Sequence, residues 1–313
     1  MPDTLPIGCT LPSSDASALG GLAETAEDLG FDSVWVSDHV VVPERIGSAY
    51  PYSTDGQFPV SPSQPYLEPL ATLGYLAGKT RRVRLGIAVL ILPYRHPLLT
   101  AKMIATLDNL SGGRVDLGIG VGWMREEFEA LGISSDIYEH RGSATDEQLR
   151  IFQSVWSQGV TGHDGRFYQF DAVGVHPQPI QKPHPPIWVG GHTRVALRRT
   201  ALFGDGWLPI GGRPPADLPP EEVAACIASI REQAERAGRN PSALRVCFCA
   251  GLRFDADDGS PFSGSSDAIA RQMRRYLDVG VDSFEVGFGR RPPSELEACM
   301  RRFAEEVRPA LIG

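Results

Sequence analysis

Positive charge is spread thinly in this sequence, and nowhere do five or six lysines or arginines run together. With 30 basic and 38 acidic residues the formal net charge is −8, and phosphate-backbone binding needs concentrated positive charge, which argues against nucleic acid as a partner. Cysteine is scarce: Cys9, Cys226, Cys247, Cys249 and Cys299 are odd in number and widely scattered, so no disulfide framework is expected. Cys247 and Cys249 lie two apart in an expected strand and therefore on one face, as small buried residues would, whereas a Cys-x-Cys zinc half-site has no second pair to complete it. Long hydrophobic runs are missing, so no transmembrane helix and no membrane partner are expected. The start, MPDTLPIGCTLP, has neither a basic head nor an apolar core, so no export signal is expected and the reducing cytoplasm is the expected compartment.

What the sequence does contain is alternation. Strand-like runs PIGCT (6–10), SVWVS (33–37), VRLGIAVLI (83–91), VDLGIG (115–120), PIWVGG (186–191), GWLPI (206–210), LRVCFCA (244–250) and SFEVGF (283–288) are separated by helical patterns. Several of these strands are continuous apolar runs, the mark of parallel strands covered on both faces. The pattern predicts one domain over 1–313, an α/β (β/α)8 TIM barrel with insertions after strands 2 and 4. One insertion, 40–66, holds Pro43, Pro51, Pro59, Pro62 and Pro65 with Tyr50, Tyr52, Phe58 and Tyr66; the other, 157–185, holds a small hairpin and a proline-rich connector. A doubly wound sheet is the alternative, but no strand is followed by a G-x-G-x-x-G turn.

In a parallel barrel the C-terminal strand ends converge on the face that carries the site. Ser37, Asp38 and His39 end the second strand there, and a histidine can exchange a proton near neutral pH while a neighbouring carboxylate favours its charged form. The same pair can also simply end a strand with hydrogen bonds. Gly86 inside the third strand implies a close backbone approach or a bulge, Pro97 suits the first residue of the next helix, and His96 suits a local cap. Gly118, Gly120 and Gly122 strip the side chains from one face of a strand end, leaving room either for a planar ligand or for tight packing. Gly190 and Gly191, followed by His192 and Thr193, bare the backbone amides of a helix start; with Arg194, Arg198 and Arg199 on its first turns this suits a phosphate.

Taken in order, "GFDSVWVSDH", "RLGIAVLILPYRHPLLTAK", "LSGGRVDLGIGVGW" and "PIQKPHPPIWVGGHT", with "GDGW" after it, resemble the luciferase-like flavin and deazaflavin monooxygenase superfamily. The nearest match is its actinobacterial branch of coenzyme F420-dependent oxidoreductases, over about residues 16–210. The resemblance implies hydride exchange between F420 and a small, mostly apolar substrate. It assigns Asp38 and His39 beside the deazaflavin as the catalytic pair, with the histidine transferring a proton, and places a non-prolyl cis peptide at Ala88-Val89 behind the ring. It further assigns Gly120, Gly122 and Trp123 to the cofactor pocket and Gly190, Gly191, His192 and Thr193 to the cofactor phosphate, with no metal. Trp123 stands where the sugar-phosphate dehydrogenase of the family has its catalytic glutamate, and the lysines that bind sugar phosphate are missing, so glucose 6-phosphate is not the expected substrate; the acid role could pass to His39 or Glu127. The alternatives are an FMN-dependent monooxygenase fed by a separate reductase, or a flavin-binding protein without catalysis. The arginines of the phosphate segment lean toward the acidic tail of F420. Family habit also implies a homodimer.

Overall fold

A computed structural model describes residues 5–256 and 262–312. Its strands are β1 (Ile7–Thr10), β2 (Ser33–Val36), β3 (Arg84–Ile91), β4 (Val115–Gly120), β5 (Val160–Asp164), β6 (Gln169–Gly174), β7 (Ile187–Gly190), β8 (Gly206–Leu208), β9 (Arg245–Phe254), β10 (Phe262–Gly264) and β11 (Ser283–Gly287). Eight of them pair in parallel in the order β9-β11-β1-β2-β3-β4-β7-β8, and β8 returns to β9 through Gly206 opposite Arg245, which closes the barrel. Each strand of the closed sheet coincides with one of the runs read from sequence. β5 and β6 form the antiparallel hairpin of the second insertion, and their exposed and half-buried residues contrast with the fully buried β2. β10 is an added edge strand on β9.

The helices are α1 (Ala16–Asp28), α2 (Pro69–Lys79), α3 (Pro97–Ser111), α4 (Arg125–Ala130), α5 (Ser135–Glu139), α6 (Arg141–Gln158), α7 (Arg194–Phe203), α8 (Pro220–Arg236), α9 (Ser266–Asp278), α10 (Pro293–Arg302) and α11 (Arg308–Ile312). Their ends follow local chemistry. Asp15 caps α1 by accepting from Ser17 N and Ala18 N, and Pro69, Pro97 and Pro220 open α2, α3 and α8, where a missing N–H costs nothing. His96 accepts from Leu98 N and so is the cap expected of it; Gly112, at φ 70°, ends α3 in the left-handed conformation. Leu19, Leu22, Ala23 and Ala26 give α1 a helical apolar stripe that packs into the main core between barrel and helices.

The lumen is packed by tryptophans set over glycines. A Cβ on Gly86 would stand 2.2 Å from Trp35 Cε3, and one on Gly206 would stand 2.3 Å from Trp188 Cε3. The close approach expected at Gly86 is therefore the indole of β2 lying across β3. Cys247 and Cys249 join Trp35 and Leu208 in this inner cluster. No helix among the described residues is long and apolar enough to cross a membrane.

Candidate active site

β2 delivers Ser37, Asp38 and His39 to the C-terminal rim, but the two ionisable residues find different partners. Asp38, 3 % exposed, accepts from both terminal nitrogens of Arg95 at 2.7 and 2.9 Å and from Ile91 N at 2.9 Å. Burial raises its carboxyl above the ordinary value, and the Arg95 guanidinium opposes that rise. Arg95 also reaches Glu68 Oε1 at 2.9 Å, which ties the ends of β2 and β3 to the start of α2. The sequence set Asp38 beside His39 as its carboxylate; in the structure the hydrogen bonds of Asp38 go instead to Arg95 and Ile91 N.

The carboxylate on the histidine is Glu127 of α4, entirely buried. Its Oε2 lies 2.7 Å from His39 Nδ1 and accepts from Tyr94 OH at 2.9 Å, while Oε1 accepts from Val40 N at 2.7 Å and Val41 N at 3.2 Å. A carboxylate only accepts, so Nδ1 carries the hydrogen and the lone pair is on Nε2. Burial, with the adjacent Glu127 charge, pushes the Tyr94 phenol far up, so it remains a neutral donor. One group thus orients the ring, seats the beginning of the 40–66 insertion and holds a tyrosine.

That insertion arches over the rim. The His39 ring contacts Phe58 at 4.6 Å between centroids and Tyr66 at 5.3 Å; Trp123 contacts Tyr50 at 5.2 Å and Phe58 at 5.5 Å. Tyr66 shares a hydrogen bond with Ser37, and its burial raises the phenol to about 12. Glu126 accepts from Gly47 N at 2.8 Å and Ser48 N at 3.1 Å, and Arg290 donates to Pro59 O at 2.7 Å, so the strap is fastened at both flanks. It also encircles a hollow of about 550 Å³ bordered by Arg45, Ser48, Gln57 and Phe58.

The Ala88-Val89 peptide is cis, as the resemblance implied, and the β3–β4 register breaks there between Ile87 and Leu90. Val89 is thrown across the neighbouring strands: a Cβ on Gly120 would stand 2.6 Å from its Cγ2, and one on Gly190 2.9 Å from its Cγ1. A Cβ on Gly122, at φ 79°, would strike Phe128 and Ile91 at 2.8 and 2.9 Å. The glycine face is thus filled by the chain itself, and the reading of Gly120 and Gly122 as open room for a planar ligand gives way to packing. Gly120 and Gly190 admit the bulge, and Gly122 makes room for Phe128 and Ile91.

At the end of β7, Gly191 has φ 86° and a Cβ there would meet only Ala196 Cβ at 3.5 Å, so its approach is open. Thr193 caps α7 by accepting from Ala196 N at 3.3 Å, and the amides of Arg194 and Val195 begin the helix with no intrahelical acceptor. His192 Nδ1 is buried without a hydrogen-bond partner. Arg194 and Arg198 are exposed, but Arg199 is buried, ion-paired with Asp146 and donating to Gly142 O at 2.9 Å. Arg199 is therefore withdrawn from the expected anion site: it lies five residues from Arg194, on the inward face of α7.

Sequence reasoning missed Arg95 and Tyr94 altogether and offered Glu127 only as a substitute acid. The available signal was a charged residue inside the buried "LPYRHP" turn and acidic residues opening the helix after the glycine strand. Among the described residues no group of side chains is arranged to hold a metal.

Comparison with known proteins follows this geometry. The uncharacterized protein Rv0953c of Mycobacterium tuberculosis is 34% identical over 289 residues, covering 91% of this chain and 92% of that protein. An F420-dependent glucose-6-phosphate dehydrogenase of Nakamurella multipartita is 29% identical, covering 85% of this chain and 72% of its own. The F420-dependent tetrahydromethanopterin reductase of Methanopyrus kandleri superposes with a TM-score of 0.77 at 20% identity, over 98% of this chain and 99% of that one, a likeness of fold. Residues 7–260 match the luciferase-like monooxygenase family, and the chain belongs to it.

Proposed function

We propose that the protein is an F420-dependent oxidoreductase that moves a hydride between the deazaflavin and a small, mostly apolar organic compound. The observation that carries this reading is the buried Glu127–His39 pair, held at 2.7 Å beneath an aromatic strap at the rim of the barrel. Such a pair is an oriented proton donor or acceptor in a place that excludes water.

The residues fit the cofactor. Val89 offers a wedge at the strand ends on which a flat ring can rest, and Gly191, Thr193 and the orphaned His192 Nδ1 offer donors and open backbone for a phosphate. Exposed Arg194 and Arg198 suit an acidic tail beyond that phosphate. When bound, F420 supplies the hydride chemistry. The chain's own share is position and proton control: Asp38 and Arg95 lock the rim, Glu127 fixes the tautomer of His39, and His39 Nε2 exchanges the proton. Trp123, Tyr50 and Phe58 cover the compound that meets the ring. The relatives named as F420-dependent support the reading.

The test is parallel titration of cofactor-free protein with F420 and with FMN. Tight binding of F420 and weak binding of FMN is the expected result. The reverse would overturn the assignment in favour of a flavin monooxygenase that needs a separate reductase.

A further inference from the structure

We propose that Phe58 is the specificity-determining residue of the site: its ring closes the inner end of the hollow in the strap and so confines the compound at His39 to a short one. The proposal rests on the reading above only in placing the reacting compound at His39.

The hollow is a built feature of the strap. One wall, at Gly47 and Ser48, is tied to the start of α4: both amides donate to Glu126 Oε1, at 2.8 and 3.1 Å, and Ser48 Oγ accepts from Arg125 N at 3.1 Å. The other wall is turned back on itself by Tyr50 N donating to Gly56 O at 2.8 Å and by Gln57 N donating to Asp55 Oδ1 at 3.0 Å. Beyond it, Pro59 O is held by Arg290. The space between is about 550 Å³, within the range of about 300–1,000 Å³ that small-molecule sites occupy.

Its lining is mixed. Ile46, Val60 and Pro62 join Phe58 as the apolar part, and Ser48 and Gln57 with the surrounding backbone are polar. Two carboxylates, Glu44 and Asp55, face one guanidinium, that of Arg45, which disfavours an anion. The lining therefore suits an uncharged chain that carries ether or hydroxyl oxygens.

Phe58 stands where this hollow meets the proposed chemistry. The His39 ring is covered by two strap rings, Phe58 at 4.6 Å and Tyr66 at 5.3 Å between centroids. Tyr66 is held at its hydroxyl by Ser37 and takes no part in the lining. Tyr50 and Trp123 brace Phe58 from the side at 5.2 and 5.5 Å, also without lining the hollow. Among the described residues Phe58 alone both borders the hollow and packs on the His39 ring. Its side chain has no polar atom, so packing alone holds it there. Removing the ring joins the hollow to the space beside His39, and a longer compound with a polar outer end then fits.

The experiment labels His39 in the cofactor-free full chain with diethyl pyrocarbonate, which acylates an unprotonated imidazole nitrogen, and reads the rate from the mass of the peptide that carries it. The His39 side chain is 11 % exposed, and Phe58→Ala should speed its labelling at least about tenfold. Benzyl alcohol and diethylene glycol monobenzyl ether then serve as short and long probes, and the concentration of each that halves the labelling rate is measured. The native protein should favour the alcohol. The alanine variant should reverse that order, with the ether gaining at least about tenfold relative to the alcohol. Phe58→Leu keeps an apolar side chain in the strap and should move both readings the same way by a smaller factor, so a misfolded alanine variant leaves the test intact. The Val40 and Val41 amides, held by Glu127, should keep their native hydrogen-exchange rates in the folded variants. An unchanged labelling rate, an unchanged order of the probes, no protection by either probe, or faster exchange at Val40 and Val41, which would mean a loosened strap, would each overturn the proposal. F420 is titrated separately, so a failure to bind it would overturn the cofactor assignment and leave the role of Phe58 standing.

Discussion

Replacing Glu127 by glutamine tests the centre of the proposed site with almost no change of shape. In the native protein one oxygen accepts from Val40 N and Val41 N, and the other receives His39 Nδ1–H and Tyr94 OH. The glutamine oxygen can keep the two backbone amides, which leaves its NH2 facing the histidine and the tyrosine. Tyr94 can reverse its hydroxyl and accept. His39 can accept only by moving its hydrogen from Nδ1 to Nε2, and the nitrogen left free for chemistry is then already protonated. Loss of one charge-assisted hydrogen bond is worth about 2 kcal/mol, so the melting temperature should drop by several degrees while the fold persists. The chemical step should slow by about 10²–10⁴, the range for a general acid or base put in the wrong state. The assay is single-turnover oxidation or reduction of bound F420, with cofactor affinity titrated separately. His39→Ala should show a similar loss, and the double variant little more, because the two act as a unit. A glutamine variant that turns over within about threefold of the native rate, with the cofactor still bound, would refute the role given to both residues.

Arg95→Met should destabilise the protein by about 3–5 kcal/mol, because it strands the buried Asp38 carboxylate, and Asp38→Asn in the same chain should recover part of that loss in denaturant unfolding. Gly120→Ala drives a methyl to 2.6 Å from Val89 Cγ2 and should cost about 1–3 kcal/mol; adding Val89→Ala should restore much of it if the two side chains truly compete for one space. Glu285 has a folded value raised above that of the unfolded chain, chiefly by burial. Its contribution to stability is complete below the unfolded value of about 4.3 and is lost as pH rises through the higher folded value. Between about pH 4 and 7 the native protein should therefore lose more melting temperature than Glu285→Gln, and parallel curves would contradict the shift.

The barrel was legible because several of its strands are covered on both faces and so print continuous apolar runs, with a helix long enough to show its own period after most of them. Insertions showed themselves by what they lacked: 40–66 carries prolines and aromatics but no helical or strand period. What the sequence could not carry was the identity of partners. Asp38 and His39 are adjacent in the chain, yet alternation along β2 and the turn after it send one to Arg95, 57 residues on, and the other to Glu127, 88 residues on. Only closure of the barrel brings those positions together. The glycines illustrate the same limit from the other side: an absent side chain says that something comes close, not what. At Gly120 and Gly190 the visitor is Val89, displaced by a bulge that no propensity foretells.

This exchange of partners changes how the site should be understood. A neighbouring aspartate would have tied the charge of His39 to β2 alone. With Glu127 as its partner, the histidine shares one carboxylate with Tyr94 of the β3 turn and with the first two amides of the strap. Any movement of the strap that withdraws Val40 and Val41 frees an oxygen of Glu127 and alters the charge presented to His39. Under the reading proposed above, the cover over the site and the orientation of the His39 ring would therefore depend on one buried group, Glu127.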